Sequence, residues 1–203
     1  MGISILLFTL SLSVFFIIIL QKIFIKYDLV DEINKRSSHN VIATRSGGIG
    51  LLLTIFIISL YHYFLGDTIY DFSIIIPVGL IAVVGLYDDI YKVDFKLKFI
   101  FQIIAAKIIV DNGLIIDNLH GVLYIFEINR LLANFLTIFI IVAIINAINF
   151  IDGIDGLAIS IMLIFIALFE LFSNNITPFL NFSILLSVSA ILLIYFNLRK
   201  DNK

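Results

Sequence analysis

The chain has 203 residues, of which 62% are hydrophobic and 14% charged, and its mean hydropathy is +1.16. A soluble globular domain would carry about 45–50% apolar residues, so the composition excludes an ordinary soluble protein and indicates one that folds in a lipid bilayer. The net charge of −2 gives no sign of nucleic-acid binding, and the absence of cysteine excludes disulfides and thiolate metal sites.

Seven apolar segments follow one another along the chain, at roughly residues 3–25, 47–65, 72–87, 96–110, 131–147, 157–173 and 179–197. They are near the roughly 17–25 residues that a helix needs to cross the hydrocarbon core, although the third and fourth are short. Runs such as residues 15–20 lack the alternation of outer-membrane strands. We therefore predict an all-α polytopic membrane protein with about seven transmembrane helices, forming a single integral-membrane domain over residues 1–203.

Lysine and arginine are concentrated in the connections 22–45 and 87–98 and in the tail 199–203. By the positive-inside rule these stretches are cytoplasmic, which places the N-terminus outside. The loops after the first, third and fifth helices then share the cytoplasmic side, and each carries a cluster of polar residues. The longest external connection, 111–130, contains glycine and β-forming residues and is predicted to hold a short hairpin.

The first polar cluster, residues 34–50, places Arg36, His39 and several hydroxyls ahead of a glycine-rich helix start that includes Gly47 and Gly48. Backbone N–H donors together with arginine can form a phosphate cradle. Positive-inside charge and small residues for close helix packing are an alternative explanation for the same stretch.

The second cluster contains two adjacent carboxylates, Asp88 and Asp89. Both cannot be buried at low cost, so we expect them to face water, a cation or a phosphate-bound metal. Lys98 and Gln102 follow one helical turn apart on a single helix face. Carboxylates beside a lysine suit phosphoryl transfer, in which Mg²⁺ neutralises charge and the protein positions the groups. The alternative is an ordinary cytoplasmic turn rich in aspartate.

The third cluster lies between two apolar runs. Asn146 and Asn149 share a helical face, and the pairs Asp152-Gly and Asp155-Gly are expected to end the helix and open the backbone. This arrangement can present amides, carboxylates and free N–H groups to a nucleotide or a metal. Helix capping by Asn, Asp and Gly is the alternative, but it explains only one of the two Asp-Gly pairs.

In chain order, the three clusters resemble the polyprenyl-phosphate N-acetylhexosamine-1-phosphate transferases. This membrane family includes phospho-N-acetylmuramoyl-pentapeptide transferase and the initiating transferases of common antigen, O-antigen and teichoic acid. The matching residues are Arg36-Ser-Ser-His39 with Gly47-Gly48, then Gly85-Leu-Tyr-Asp88-Asp89 with Lys98, Phe99 and Gln102, and then residues 146–157. They correspond to about the first half of a typical member, and the Arg-Ser-Ser-His match leans toward the O-antigen, lipopolysaccharide-building branch.

The resemblance implies transfer of a sugar 1-phosphate from a UDP-linked N-acetylhexosamine to polyprenyl (undecaprenyl) phosphate, with release of UMP. Mg²⁺ would be the cofactor, and the reaction would initiate cell-envelope polysaccharide synthesis at the bacterial inner membrane. The implied partners are the lipid phosphate, the nucleotide sugar and the membrane, without nucleic acid and with a homodimer left open.

The resemblance also implies roles for individual residues. Asp88 and Asp89 correspond to the catalytic pair that positions or deprotonates the lipid phosphate, and Asn149 corresponds to a Mg²⁺ ligand. The nucleotide and diphosphate pocket would be shaped by Asn146, Asp152 and Asp155. Phosphate contacts would come from Lys98, Arg36 and His39.

The chain departs most from the family pattern at its end, which comes before the family's later Met-Gly-Asp motif and its Arg- and His-rich loop. Because Mg²⁺ prefers several hard oxygen ligands, weak metal binding by Asn149 is expected without that later aspartate. A non-catalytic truncated or split-gene membrane fragment of such an enzyme is therefore the alternative function.

Two other enzyme classes fit the sequence less well. A CDP-alcohol phosphotransferase would need an arginine soon after an Asp-Gly pair, and Asp155-Gly156 is followed by Leu-Ala-Ile-Ser. A prenyl-diphosphate synthase would need the motif DDxxD, whereas Asp94 falls five residues after Asp89.

Overall fold

The computed structural model describes residues 3–30, 44, 46–66, 72–151, 156–173 and 179–198. In this part of the chain seven α-helices follow one another: α1 (Ile3–Lys26), α2 (Gly47–Phe64), α3 (Ile75–Tyr91), α4 (Phe95–Asp111), α5 (Arg130–Ile151), α6 (Leu157–Phe172) and α7 (Leu180–Leu198). Within these residues the structure has two isolated β-bridges and no extended β-strand. The prediction of an all-α fold is confirmed, and the helices coincide closely with the predicted apolar segments.

Three helices, α1, α2 and α5, are long and apolar enough to cross a bilayer, and α3, α6 and α7 hold shorter apolar stretches. With 24 residues, α1 is about 36 Å long at 1.5 Å per residue, slightly more than the hydrocarbon thickness. Helix α4 is less apolar because it includes the charged residues Lys96, Lys98, Lys107 and Asp111. The protein is thus a helical membrane protein, while the number of crossings and their orientation stay predictions.

The chain divides into two compact units. The terminal unit comprises Met1–Tyr70 and Ile151–Lys203, and the central unit comprises Asp71–Phe150. The terminal unit contains α1, α2, α6 and α7, whereas the central unit contains α3, α4 and nearly all of α5. A single domain over residues 1–203 stays a prediction.

In the terminal unit, hydroxyl side chains lie in the helix contacts. The Ser13 hydroxyl on α1 donates to Ser189 Oγ on α7 at 2.9 Å, and both side chains are almost fully buried. On α2, the Thr54 hydroxyl donates to the carbonyl oxygen four residues earlier. Such bonds satisfy polar groups where water is absent, and small side chains allow helices to approach closely.

The glycines at the start of α2 have different surroundings. A Cβ added at Gly47 would overlap Cδ1 of Leu193 on α7, and one at Gly50 would contact Ile17 of α1. A Cβ at Gly48 would have no atom within 4 Å. Close helix packing therefore explains Gly47 and Gly50, in agreement with the packing alternative for this stretch, but it does not explain Gly48.

We predict opposite effects for alanine at the two adjacent glycines. Gly47→Ala should lower the free energy of unfolding by about 1 kcal/mol, because Leu193 must move to make room. Gly48→Ala should be neutral or stabilising by up to about 1 kcal/mol, because alanine is the better helix former. Equilibrium unfolding of both variants in the same detergent measures the difference. Equal effects of the two substitutions would contradict the packing described for α2.

Candidate functional site

The turn between α3 and α4 is organised around Asp88. The Asp88 carbonyl accepts the backbone N–H of Lys92 at 2.8 Å, and Lys92 itself is left-handed with φ of 52°. The Asp88 side chain accepts the N–H of Val93 through Oδ1 at 3.0 Å. Asp94 then caps α4, and its Oδ1 accepts from the N–H of Lys96. Asp88 thus satisfies two N–H groups at the point where α3 ends and the chain reverses into α4.

Asp88 also forms an ion pair with a residue of the next helix. Its Oδ2 contacts Nζ of Lys98, and the two side chains are 20% and 33% exposed, respectively. Both carboxylate oxygens of Asp88 therefore have partners within the protein. These contacts support a structural role for Asp88, in agreement with the alternative interpretation of this stretch as an ordinary aspartate-rich turn. The adjacent Asp89 lies on α3, but its side chain is outside the described residues.

An amide pair joins α4 to α5. Asn146 Nδ2 donates to Oε1 of Gln102 at 2.7 Å and to the Val142 carbonyl at 2.8 Å. Gln102 is 7% exposed, so its amide would be costly to leave without a partner. The two bonds fix the orientation of the Asn146 amide, because both use its Nδ2 donor group.

A small pocket opens beside these polar pairs. It has a volume of about 70 Å³ and is lined by Ile81, Val84 and Gly85 of α3, by Lys98, Phe101 and Gln102 of α4, and by Ile145 and Asn149 of α5. Sites that enclose a whole small-molecule ligand usually measure about 300–1,000 Å³. This pocket can therefore hold one small group, such as a phosphate or a hydrated cation, but not an entire nucleotide.

The glycine in the pocket wall leaves the pocket open. A Cβ at Gly85 would meet no atom of the described residues within 4 Å, so these residues leave space beside Gly85. Lys98 and Gln102 both line the pocket, which confirms the prediction that they share one face of their helix. Phe101 had no predicted role at the site, whereas Gln102, the only amide within the apolar middle of α4, was predicted to share a helix face with Lys98 but was given no contact of its own.

The structure brings together four of the predicted site residues, Asp88, Lys98, Asn146 and Asn149, in the central unit. Of the other five predicted positions, Arg36, His39, Asp152 and Asp155 lie outside the described residues, and Asp89 is described only in its backbone. The helix break predicted at the Asp-Gly pairs falls largely on residues 152–155, which lie outside the described residues, while Gly156, directly before α6, has a left-handed φ of 69°.

The donors of this site fit Mg²⁺ only in part. Asn149 is exposed and lines the pocket, and its side-chain oxygen is a hard ligand of the kind that Mg²⁺ prefers. Within the described residues, no group of three or more His, Cys, Asp or Glu side chains could hold a metal. Because Asp88 is already paired, a Mg²⁺ ion here would need further oxygens from other carboxylates, substrate phosphates or water.

We predict that Asp88→Ala is more destabilising than Asp88→Asn. Asparagine keeps an oxygen for the Val93 N–H and loses the ion pair with Lys98, whereas alanine loses both. Alanine should lower the free energy of unfolding by about 1–3 kcal/mol, as expected for a charge-assisted hydrogen bond, and asparagine by less. Chemical unfolding of the purified variants gives the ranking, and the reverse order would contradict the role of Asp88 in this turn.

Comparison with known proteins identifies the family. The family model "Glycosyl transferase family 4" matches residues 71–202. A Bacillus subtilis (strain 168) protein described as "Probable undecaprenyl-phosphate N-acetylglucosaminyl 1-phosphate transferase" is 32% identical over 99 residues, which are 49% of this chain and 27% of that relative. The match thus spans about a quarter of the relative's length. Since the family model covers well over half of the sequence, the chain belongs to glycosyl transferase family 4.

Proposed function

We propose that this protein transfers N-acetylhexosamine 1-phosphate from a UDP-sugar to polyprenyl phosphate. A phosphate oxygen of the lipid would attack the β-phosphorus of the nucleotide sugar, the bond from that phosphorus to the bridging oxygen would break, and UMP would leave. Support comes from the family and from the relative's name, which specifies undecaprenyl phosphate and N-acetylglucosamine. The observation that carries the proposal is that Lys98 and Asn149 line one phosphate-sized pocket.

The charges around this pocket suit phosphoryl transfer. In such reactions the protein mostly positions the reacting groups and neutralises the charge on the transferred phosphoryl oxygens. Lys98 supplies a cation, and its contact with Asp88 orients the ammonium group before a substrate arrives. We propose that the pocket receives a phosphate of the donor, while the uridine, sugar and prenyl groups extend beyond it.

The contacts of Asp88 support a positioning role for this residue. Asp88 holds both the α3–α4 turn and the Lys98 side chain, so its carboxylate is engaged within the protein. We propose that Asp89, the other member of the pair, acts on the lipid phosphate. From the resemblance, Asp152, Asp155, Arg36 and His39 are proposed to contact the nucleotide and its phosphates.

We also propose that the reaction uses Mg²⁺. When bound, the ion would neutralise charge on the diphosphate. Asn149 would supply one oxygen ligand, and Asp89, Asp152 or Asp155 would supply a carboxylate. Asn146 would hold the end of α5 against Gln102, which keeps Asn149 at the pocket one helical turn later.

The lipid substrate would approach from the bilayer along the outer face of α3. Val83, Tyr87 and Ile90 are exposed on that face, and the Tyr87 and Tyr91 rings lie 4.6 Å apart. Aromatic rings of this kind are typical of the bilayer interface. We therefore propose a site at the cytoplasmic surface of a bacterial inner membrane, where the reaction would initiate synthesis of an envelope polysaccharide.

An assay of UMP release with matched variants tests this function. Membranes depleted of their own transferase would contain the chain and receive UDP-N-acetylglucosamine, undecaprenyl phosphate and Mg²⁺. We expect release that requires the lipid, and a loss of about 10²-fold or more in Lys98→Gln and Asn149→Ala, as for removal of one catalytic electrostatic donor.

Each variant has a control on the same helix. Lys107→Gln lies at the other end of α4, where Lys107 pairs with Asp111, and Asn134→Ala lies near the start of α5, where the half-buried Asn134 amide donates to the Arg130 carbonyl. Both controls should retain activity. Absence of lipid-dependent UMP release from a correctly inserted chain would contradict the proposed function and favour a non-catalytic fragment. Equal losses of activity in the control variants would contradict the proposal that the pocket binds a phosphate of the donor.

A further inference from the structure

The connection between α4 and α5 forms a short hairpin with a fixed base. At its base, the N–H of Ile116 donates to Oγ1 of the buried Thr137 on α5 at 2.9 Å. Further along, the N–H of Leu119 donates to the Phe126 carbonyl at 2.7 Å, next to a bridge between residues 118 and 127. The predicted hairpin is thus present, as an isolated antiparallel bridge without a longer strand pair.

The tip of this hairpin, residues 122–126, is apolar and exposed. The exposed fractions are 63% for Val122, 82% for Leu123, 97% for Tyr124 and 63% for Phe126. Leu123 and Tyr124 have φ values of 55° and 61°, a left-handed conformation that is strained for large side chains. The hairpin therefore has a strained turn, and all five of its large apolar side chains, Ile125 included, are exposed.

The hairpin lies at the opposite end of the central unit from the pocket. Helix α4 contributes Lys98 to the pocket near its start and reaches the hairpin at its end, whereas α5 begins at the hairpin and contributes Asn149 near its end. The 22 residues of α5 span about 33 Å, close to the thickness of the hydrocarbon core. A crossing of the bilayer by α5, which its length and composition allow, would place the hairpin at one membrane surface.

We propose that the hairpin tip inserts into the interfacial layer of that membrane surface. Tyrosine is typical of this layer, because its ring is apolar and its hydroxyl can reach water. The exposed side chains of Leu131, Leu132 and Phe135 at the start of α5 continue the apolar surface toward the bilayer core. A second copy of the chain is a poorer occupant, because a stable protein interface uses about 20–30 residues a side and the tip offers five.

Insertion of the tip has a consequence for the rest of the central unit. Interfacial aromatic anchors help to set the depth and tilt of the helices to which they are attached. The hydrogen bond from Ile116 to Thr137 connects the hairpin firmly to α5. The tip would therefore fix how far α5 extends across the bilayer, and with it the position of Asn149 at the other surface.

The absence of tryptophan allows a direct test. Tyr124→Trp in the full chain, reconstituted in nanodiscs of phosphatidylethanolamine and phosphatidylglycerol, gives a single fluorescent reporter. We expect emission at shorter wavelength than N-acetyltryptophanamide in water, and stronger quenching by lipids brominated near the headgroup than by lipids brominated at the chain end. Phe135→Trp, on the exposed face of α5, is the lipid-facing reference, and Leu123→Trp is a second reporter if Tyr124→Trp does not fold.

A charged substitution provides the matched control. Leu123→Asp in the Tyr124→Trp background should move the emission to longer wavelength and increase quenching by iodide. Emission at the wavelength found in water, with iodide quenching, would overturn the proposal. Emission at short wavelength without quenching by any brominated lipid would also overturn it, because the tip would then contact protein, such as a second copy of the chain.

Discussion

The ion pair between Asp88 and Lys98 is the interaction on which the candidate site depends. The same carboxylate accepts the Val93 N–H, so one side chain joins the end of α3, the turn and the first part of α4. Lys98 in turn forms part of the pocket wall. Both side chains of the pair are partly exposed. A negatively charged ligand in the pocket can therefore compete with Asp88 for the Lys98 ammonium group, and neither side chain has to leave a buried position.

Paired polar groups recur within each unit of this apolar chain. Asn146 and Gln102 pair in the central unit, and Ser13 and Ser189 pair in the terminal unit. In the terminal unit the Ser183 hydroxyl also donates to the Glu170 carboxylate at 2.6 Å. Hydrophobic burial does not drive helix association in lipid, so interhelical hydrogen bonds and close packing determine which helices meet. The amide pair has the further effect of holding the end of α5 beside α4, where Asn149 reaches the pocket.

Much of the fold could be predicted from the sequence, because helices in lipid require long apolar runs. The approximate helix bounds follow from those runs, and the left-handed Gly156 directly before Leu157 belongs to one of the two Asp-Gly dipeptides. Helical periodicity also indicates that Lys98 and Gln102 share a face. Periodicity does not identify the partner on another helix, so it could not predict that Gln102 accepts from Asn146. The hydrogen bond from the Val93 N–H to Asp88 Oδ1 could not be predicted either, since it depends on the left-handed conformation of Lys92.

Thiol labelling shows whether the pocket beside Lys98 receives a phosphate of the nucleotide sugar. The chain has no cysteine, and Gly85 in the pocket wall has room for a new side chain. Labelling of Gly85→Cys should be slowed by UDP-N-acetylglucosamine with Mg²⁺, whereas labelling of Lys96→Cys on the exposed start of α4 should not change. Unchanged labelling of Gly85→Cys, under conditions in which the protein releases UMP, would contradict the placement of the phosphate in this pocket.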